Sequence, residues 1–435
     1  MEVRKKLIFG LILLVFPLLF SVFAGCTFST YKLALSIPQS NSQIFNKYFP
    51  IAKTCSLENE LITNLPKILG NNTYIVLLQN HAELRPTGGF IGSYATLKFQ
   101  DNVLSSWQIE DIHVPDGQIE GHVVPPIPIQ QAFGNGYWSL RDSNWDIDFA
   151  KSAHDVNWFF EKGGVINIDG IFAINSQLIT EVLSILGPLS INGEEVRADN
   201  FLDATQDQIQ DSFFPGSHKK KFLLTDTGSA LSENVLNAPL LTKVKVAKTL
   251  LKHYKNGEIL AWSSNENLQN IFENFGLVNE REQYKGNYLY IVEANLGSNK
   301  ASCCITRSVS HEVTTEDKSQ KNVLTIYYLN ENAPPQTPGH RWGGDYVNYL
   351  RIVIPEKSEV VKITVNNQEY SQIEKHEIAV KPSEDKSFTV KSDSNYKIIG
   401  FWVITKIGES SEVKTEYSQE ENAEGYEIVI EKQPG

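Results

Sequence analysis

The sequence predicts an α/β domain, with a mixed sheet and flanking helices, followed by an all-β immunoglobulin-like sandwich. Up to about Glu282, short apolar runs alternate with helical periodicities, which is typical of layered α/β domains. From Tyr288 onward, short strands follow one another between turn-rich stretches, which favours a β-sandwich. The predicted segments are a signal or anchor segment (1–26), a linker or juxtamembrane helix (27–56), the α/β domain (57–282) and the sandwich (283–435).

The composition is that of a globular protein. Of 435 residues, 41% are hydrophobic and 21% are charged, which excludes a wholly disordered chain, a collagen and a coiled coil. The formal net charge of −12 repels polyanions, so nucleic acid is not an expected partner. Four cysteines in a chain of this length do not form a disulfide scaffold, and no pairing follows from their positions.

The N-terminus has the pattern of an export signal. The cationic segment Met1–Lys6 precedes an uncharged apolar run, Leu7–Ala24. Phe23-Ala24-Gly25-Cys26 is similar to a lipoprotein cleavage box in which Cys26 is lipidated, while the run is also near the minimum length of an uncleaved membrane anchor. Free secretion is a third alternative. The lipoprotein and the anchor both place a tethered protein at the bacterial cell membrane with its body outside the cytoplasm.

The order of elements in the α/β domain follows from the hydrophobic pattern. Short apolar runs predict buried strands, and longer amphipathic runs predict helices, with Asn175 or Ser176 as a helix cap. The predicted strands are Tyr74–Leu78, Phe90–Phe99, Val103–Ile112 and Gly170–Ile174, and the predicted helices are Asp146–Glu161, Gln177–Leu186, Asn200–Phe213, Leu231–Tyr254 and Glu266–Phe275.

A first polar string, Gln79–Gly89, follows a predicted buried strand, where α/β domains place their ligands. Arg85 offers paired donors to an anionic oxygen, and Thr87 with the amides around Gly88 and Gly89 could approach the same group. The alternative is a structural loop in which Arg85 pairs with Glu83.

A second polar string, Trp138–Phe149, carries another arginine among three aspartates and two tryptophans. Arg141 is therefore a second candidate for anion binding. The alternative is a helix entry, in which Asp146 or Asp148 caps the helix and Arg141 pairs with Asp142. Both interpretations stay open at this level.

Common catalytic signatures do not occur. The chain lacks a phosphate-binding P-loop, a zinc-protease HExxH and a nucleophile elbow GxSxG, and its SxxK strings at Ser217 and Ser383 are short enough to recur by chance. Cys303 and Cys304 are adjacent in a predicted strand, so their side chains are expected on opposite faces, which argues against joint metal ligation.

Several long strings carry a family resemblance: QNHAELRPTGGFIGSYATL, WSLRDSNWDIDFAKSA, IDGIFAINSQLITEVLSILGPLSING and YLYIVEANLGSNKA. From about Leu69 to at least Pro355 the chain closely resembles the bacterial domain-of-unknown-function family numbered 4012. That resemblance implies an exported, membrane-tethered bacterial protein and brings no established activity.

A fainter resemblance connects the order of elements to the LytR-CpsA-Psr family. Those enzymes transfer glycopolymers from a polyprenyl pyrophosphate carrier to the cell wall, with arginines on the pyrophosphate and acidic residues on Mg²⁺. The resemblance implies Arg85 as an anion ligand and the stretch containing Lys219 and Lys220 as its later basic segment. Asp111 or Asp116 falls near that family's magnesium-binding carboxylate, and Asp142 of the second polar string is a third candidate for holding Mg²⁺.

Two functional hypotheses follow for this cell-envelope protein. In one, the α/β domain binds an anionic (pyro)phosphate or glycan-lipid ligand and acts as an Mg²⁺-dependent phosphotransferase on polyprenyl-pyrophosphate-linked glycans, with Arg85, Arg141 and a metal offsetting the phosphate charge. In the other, the protein is a non-catalytic binding, scaffold or adhesion module. The first hypothesis requires both arginines and at least one carboxylate to converge on one cleft.

The tether can be tested in cells. We expect protease to digest the body, Thr27–Gly435, in intact spheroplasts, because the cationic flank keeps only the start of the chain inside. Full protection of the body contradicts this topology. Cys26→Ser separates the two tethers, since only a lipoprotein would lose fatty-acid labelling on that change.

Overall fold

A computed structural model describes residues 25–56, 59–134, 136–191, 194–201, 218–278, 287–316, 319–334, 343–420 and 428–435. The predicted anchor up to residue 24 and the predicted domain boundary at residue 282 lie outside these ranges, as does most of the predicted helix Asn200–Phe213. Within the described ranges, no helix has the length and apolar character needed to span a bilayer.

The first domain contains a five-stranded mixed sheet, as the sequence predicts. Its order is β3-β2-β1-β4-β7, and β1 pairs with β4 in parallel while the other neighbours are antiparallel. The parallel pair brings the carboxyl ends of β1 and β4 to the same edge. The strands are β1 Thr73–Asn80, β2 Phe90–Gln100, β3 Val103–Asp111, β4 Gly170–Asn175 and β7 Ile259–Trp262, and a separate hairpin joins β5 Leu189–Ile191 to β6 Glu194–Val196.

Helices cover both faces of this sheet, because successive side chains of its buried strands point to opposite sides. Ile75 packs in one core with Phe159 and Phe160, whereas the adjacent Tyr74 packs in another with Phe272. The helices are α1 Ser42–Cys55, α2 Glu60–Leu69, α3 His113–Asp116, α4 Ile127–Phe133, α5 Phe149–Lys162, α6 Ser176–Leu186, α7 His218–Asn237, α8 Leu240–Lys255 and α9 Glu266–Asn274.

Polar residues fix the starts of two of these helices. Asp148 Oδ1 accepts a hydrogen bond from the backbone N–H of Ala150 at 2.9 Å and caps α5. Asn175 Oδ1 accepts from the backbone N–H of Leu178 at 3.1 Å and caps α6. Both residues satisfy donors that a helix leaves unpaired in its first turn, so the predicted caps are confirmed.

Residues 25–56, which are predicted from residue 27 as a linker or a juxtamembrane helix, form helices that pack against the α/β domain. Residues 25–36 are helical, and together with α1 they bury Leu33, Phe45 and Ala52 against Val103 of β3. Burial of three apolar side chains holds this segment on the domain.

A disulfide joins the two ends of this segment, because Cys26 Sγ is bonded to Cys55 Sγ. A sulfur in that bond is not available for a thioether to lipid. The disulfide and lipidation are therefore alternative states of Cys26, and lipidation stays a prediction.

The second domain consists of two sheets packed face to face. Leu324 and Ile326 of one sheet share a core with Leu350, Ile352 and Phe401 of the other. The sheet orders are β13-β12-β17-β10-β9 and β14-β15-β16-β11-β8-β18, so the predicted two-layer β domain is confirmed, and its immunoglobulin-like connectivity stays a prediction. The strands are β8 Asn287–Asn295, β9 Ile305–Glu316, β10 Ser319–Asn330, β11 Tyr346–Pro355, β12 Glu359–Val365, β13 Gln368–Glu369, β14 Ser371–Ile373, β15 Ser387–Asp393, β16 Tyr396–Thr405, β17 Ser410–Glu420 and β18 Ile428–Glu431.

The strand predicted at Cys303 and Cys304 does not form. They lie in a short 3-10 helix, Ala301–Cys304, and form a disulfide with each other. The helical turn replaces the alternation of a strand, so the two side chains no longer point to opposite faces.

The two domains are joined by specific contacts. The guanidinium of Arg351 on β11 lies 4.5 Å from the centre of the Trp145 ring and donates to the Trp145 carbonyl at 2.9 Å. Trp402 of β16 donates its indole N–H to Oε1 of Gln131 on α4 at 3.0 Å. The sandwich therefore contacts the second polar string at Trp145 and the preceding helix α4 at Gln131.

Candidate functional site

A cavity of about 630 Å³ lies where the two polar strings meet the sandwich. Both predicted arginines and one predicted carboxylate converge on it, as the ligand-binding hypothesis requires. Its lining residues are Glu83, Arg85, Phe90, His113, Ile129, Ala132, Phe133, Tyr137, Ser139, Arg141, Asp142 and Ser298.

Arg85 occupies the inner wall and is only 1% exposed. Its Nε and Nη2 donate to Asp142 Oδ1 at 3.2 and 3.0 Å, and Nη2 also donates to Glu83 Oε1 at 3.0 Å. Nη1 donates to the carbonyls of Asn295 and Leu84 at 2.5 and 3.2 Å. A guanidinium has five N–H groups, so this one has no donor left for a ligand. The structure therefore shows the structural alternative for Arg85, paired with Glu83.

Burial and the neighbouring charges have opposite effects on the pKa values of Arg85 and Glu83. Burial disfavours the charge on Arg85, but Asp142 and Glu83 outweigh that effect and raise the pKa of Arg85. Burial also raises the pKa of Glu83, an effect that Arg85 opposes. A buried cation held by two acids is costly to disrupt, because removal of either kind of partner leaves an uncompensated charge.

The lining of the cavity does not include Thr87, Gly88 or Gly89, although the sequence predicts that they approach the same anionic group as Arg85. Thr87 Oγ1 accepts hydrogen bonds from Gln79 Nε2 at 2.8 Å and from Asn144 Nδ2 at 2.9 Å. A Cβ on Gly89 would lie 2.3 Å from a backbone oxygen of β1, so only glycine fits there. The two glycines permit close backbone packing rather than an anion contact.

Arg141 is the more available cation. It lies in the 3-10 helix Leu140–Asp142, and its side chain is 26% exposed. Its closest carboxylate contacts are long, 3.7 Å from Nε to Asp142 Oδ2 and 3.9 Å from Nη1 to Asp116 Oδ2. These ion pairs orient the guanidinium without the short hydrogen bonds that occupy Arg85.

Asp116 and Asp111 are both committed to local contacts. Asp116 Oδ1 accepts from the backbone N–H of Leu140 at 2.7 Å and thereby fixes the turn that carries Arg141. Burial raises the pKa of Asp116, while Leu140 and Arg141 oppose the rise. Asp111 Oδ1 accepts from the backbone N–H of His113 at 3.0 Å and lies 2.8 Å from its Nδ1.

Each predicted magnesium ligand has a local partner in the structure. Asp111 contacts His113, Asp116 holds the turn at Leu140, and Asp142 binds Arg85. Across the described part of the chain, no group of three His, Cys, Asp or Glu residues could hold a metal ion. Magnesium binding by one or two of these aspartates together with a ligand phosphate stays a prediction.

The predicted basic stretch lies at the start of α7, which begins at His218. The side chains of Lys219 and Lys220 lie outside what the structure describes. Their role in anion binding stays a prediction.

Sequence reasoning missed several lining residues. His113 follows Asp111 by two residues at the end of β3, and this Asp-x-His spacing at a strand end was the available signal. Ser139 lies in the second string and Tyr137 directly precedes it, but neither was among the predicted site residues. Ser298 comes from the other domain, and no local pattern connects it to the site.

A family model matches the segment of the chain that carries most of this site. Residues 70–209 match the model of the family described as "Protein of unknown function (DUF4012)". The resemblance predicted from the strings is confirmed for this segment. It contains both polar strings and every lining residue of the cavity except Ser298.

The chain is also similar to several solved structures, although only slightly. TagV of Bacillus subtilis has 10% identity and a TM-score of 0.29, covering 47% of this chain and 81% of that one. Lin1025 of Listeria innocua has 11% identity and a TM-score of 0.27, covering 50% and 86%. The structure described as "TagT bound to LI-WTA" has 14% identity and a TM-score of 0.21, covering 49% and 77%.

Similarity at this level assigns neither an activity nor a ligand. No curated protein matches the chain.

The structural role of Arg85 can be tested by denaturation. Arg85→Ala should lower the free energy of unfolding by about 3–5 kcal/mol, because Asp142 and Glu83 lose their buried counter-ion. Glu83→Ala should change stability in the same direction. The control, Arg197→Ala, removes an exposed arginine paired with Glu195 and should leave the free energy of unfolding nearly unchanged. Urea unfolding measures all three, and an Arg85→Ala protein as stable as the control contradicts the structural role.

Proposed function

We propose that this protein is a membrane-tethered, extracytoplasmic cell-envelope protein whose interdomain cavity binds a phosphate-bearing glycan or glycan lipid. One observation carries the proposal. Arg141 projects a partly exposed guanidinium into the cavity, and its two ion pairs are longer than hydrogen bonds. A guanidinium in this state can donate to two phosphate oxygens at once.

The charges around Arg141 support an anionic ligand. Arg85 neutralises part of the adjacent carboxylate charge through its contacts with Glu83 and Asp142. Burial raises the pKa values of Glu83 and Asp116, so the buried surroundings disfavour the negative form of each carboxyl. The contacts of Arg85 reduce the negative charge that would otherwise repel a phosphate.

The rest of the cavity suits a glycan or the first carbons of a lipid. Ile129 and Phe133 of α4 give it an apolar wall, and Tyr137 is 52% exposed at its edge. Ser139 and Ser298 add hydroxyl groups that can donate to or accept from sugar hydroxyls. A ligand with one anionic group, several hydroxyls and an apolar face matches this mixture.

Ligand binding can be measured with matched probes. Arg141→Ala should weaken binding of N-acetylglucosamine 1-phosphate or farnesyl phosphate by about 10- to 150-fold, the equivalent of one charge-assisted contact. Binding of N-acetylglucosamine or farnesol should change little, because these probes lack the phosphate.

Isothermal titration of wild type, Arg141→Ala and the surface control Arg197→Ala separates the outcomes. An equal loss of affinity for the phosphorylated and the unphosphorylated probes would indicate that the substitution disturbs the whole cavity. Unchanged phosphate affinity in a folded Arg141→Ala protein contradicts the proposal.

A second candidate function, transfer or hydrolysis at the bound phosphate, is favoured by His113. This residue lines the same cavity as Arg141, and Asp111 lies 2.8 Å from its Nδ1. A carboxylate on one ring nitrogen orients the imidazole, so the other can accept a proton from an attacking hydroxyl or water. Arg141 would then offset charge on the phosphate. A Mg²⁺ ion bound by the ligand phosphate and a neighbouring aspartate would offset more of that charge.

The catalytic alternative has its own measurement. If the protein is an enzyme, His113→Gln should lower phosphate release from farnesyl pyrophosphate by about 10²–10⁴-fold while its affinity for farnesyl phosphate stays unchanged. His154→Gln, which changes an exposed histidine of α5, is the matched control. No release by the wild-type protein, with measurable binding, leaves the non-catalytic function.

A further inference from the structure

Helix α8 has one face packed on the domain and an apolar face exposed. Val246 of α8 is buried in a cluster with Leu178 and Val182 of α6. On the opposite side, Leu240 is 64% exposed and Leu241 is 77% exposed. Helical spacing places Val244 and Leu251, which are also exposed, on the same side as Leu240. A row of exposed large apolar residues on one helix marks an interaction surface.

The charge on this helix is entirely basic. Residues 240–255 contain five lysines and no aspartate or glutamate, although the whole chain has a formal charge of −12. Lys245, Lys248 and Lys255 are exposed beside the apolar row. Lys252 pairs with Glu181 of α6 at 2.9 Å, which fixes the side of α8 that faces the domain. The exposed face is therefore amphipathic and cationic, and an anionic surface complements it.

The position of α8 indicates which anionic surface this is. Lys243 Nζ lies 6.0 Å from the ring centre of Tyr31, in the helical residues 25–36. These residues follow directly on the apolar run Leu7–Ala24. Residues 25–56 likewise contain three lysines and no acidic residue, and Phe28 is half exposed among them. The cationic, apolar surface thus adjoins the point where the predicted tether meets the domain.

We propose that α8 lies on the surface of an anionic membrane, with Leu240, Leu241 and Val244 at the boundary of head groups and acyl chains. Its lysines would contact lipid phosphates, which is the usual arrangement of an amphipathic helix at an interface. This proposal rests on the predicted N-terminal tether and is independent of the ligand in the cavity. It gives the α/β domain a second membrane contact, so the domain would be held in one orientation rather than swinging on a single anchor.

Site-specific photo-crosslinking tests the contact in the full chain. The chain is placed in vesicles of phosphatidylcholine with a minor fraction of phosphatidylglycerol, and Leu241 is replaced by p-benzoylphenylalanine. The matched control carries the same group at Val361, which is 66% exposed on β12 of the sandwich. We expect several-fold more lipid adduct at position 241 than at position 361.

Two further arms test the charge. Lys245→Glu with Lys248→Glu should lower the lipid adduct at position 241, and so should vesicles of phosphatidylcholine alone. Both changes remove the attraction between the lysines and the lipid phosphates. Vesicle flotation of the same samples reports the tether separately, because a tethered chain floats whether or not α8 contacts lipid.

The outcomes that overturn the proposal are distinct. Equal lipid adducts at positions 241 and 361 in a floating chain mean that α8 does not contact the membrane. Adducts at position 241 to a second protein chain instead of lipid mean that the surface binds a protein. A full chain that fails to float overturns both the tether and the membrane contact of α8, whereas the probe titrations of the cavity remain valid.

Discussion

The guanidinium of Arg85 is the contact on which the rest of the site depends. Its acceptors come from the loop after β1, from Asp142 of the second polar string and from the carbonyl of Asn295 at the end of β8. One buried cation therefore joins three segments that are far apart in the chain. Such an arrangement is stable only when every donor is satisfied, and here all five N–H groups are.

Fixing Asp142 also fixes its neighbour Arg141. Because Asp142 gives Oδ1 to Arg85 and Oδ2 to Arg141, the inner arginine orients the outer one through a shared carboxylate. The two arginines thus have different tasks. Arg85 is buried and stabilises the structure, whereas Arg141 is partly exposed and can contact a ligand. The sandwich takes part in the same assembly, since Gln433 donates to the Arg85 carbonyl at 3.0 Å.

Local patterns predicted the secondary structure well where one face of an element is buried. The apolar run in β1 and the capping residues Asp148 and Asn175 are local signals, because strand burial and helix capping depend on residues close in sequence. The segment 27–56 was harder to predict. Its helices depend on packing against Val103, so its own weak periodicity did not distinguish a linker from a packed helix.

The sequence by itself determined the order of the two domains, the cationic and apolar N-terminus, and the positions of the two polar strings along the chain. Each of these is a property of neighbouring residues. Tertiary structure alone decided which arginine is buried, which carboxylates are already committed, and that Ser298 reaches the α/β domain. The physical reason is that burial and hydrogen-bond satisfaction are set by residues distant in the chain. A side chain such as Arg85 has the same local pattern whether it faces a ligand or two buried acids.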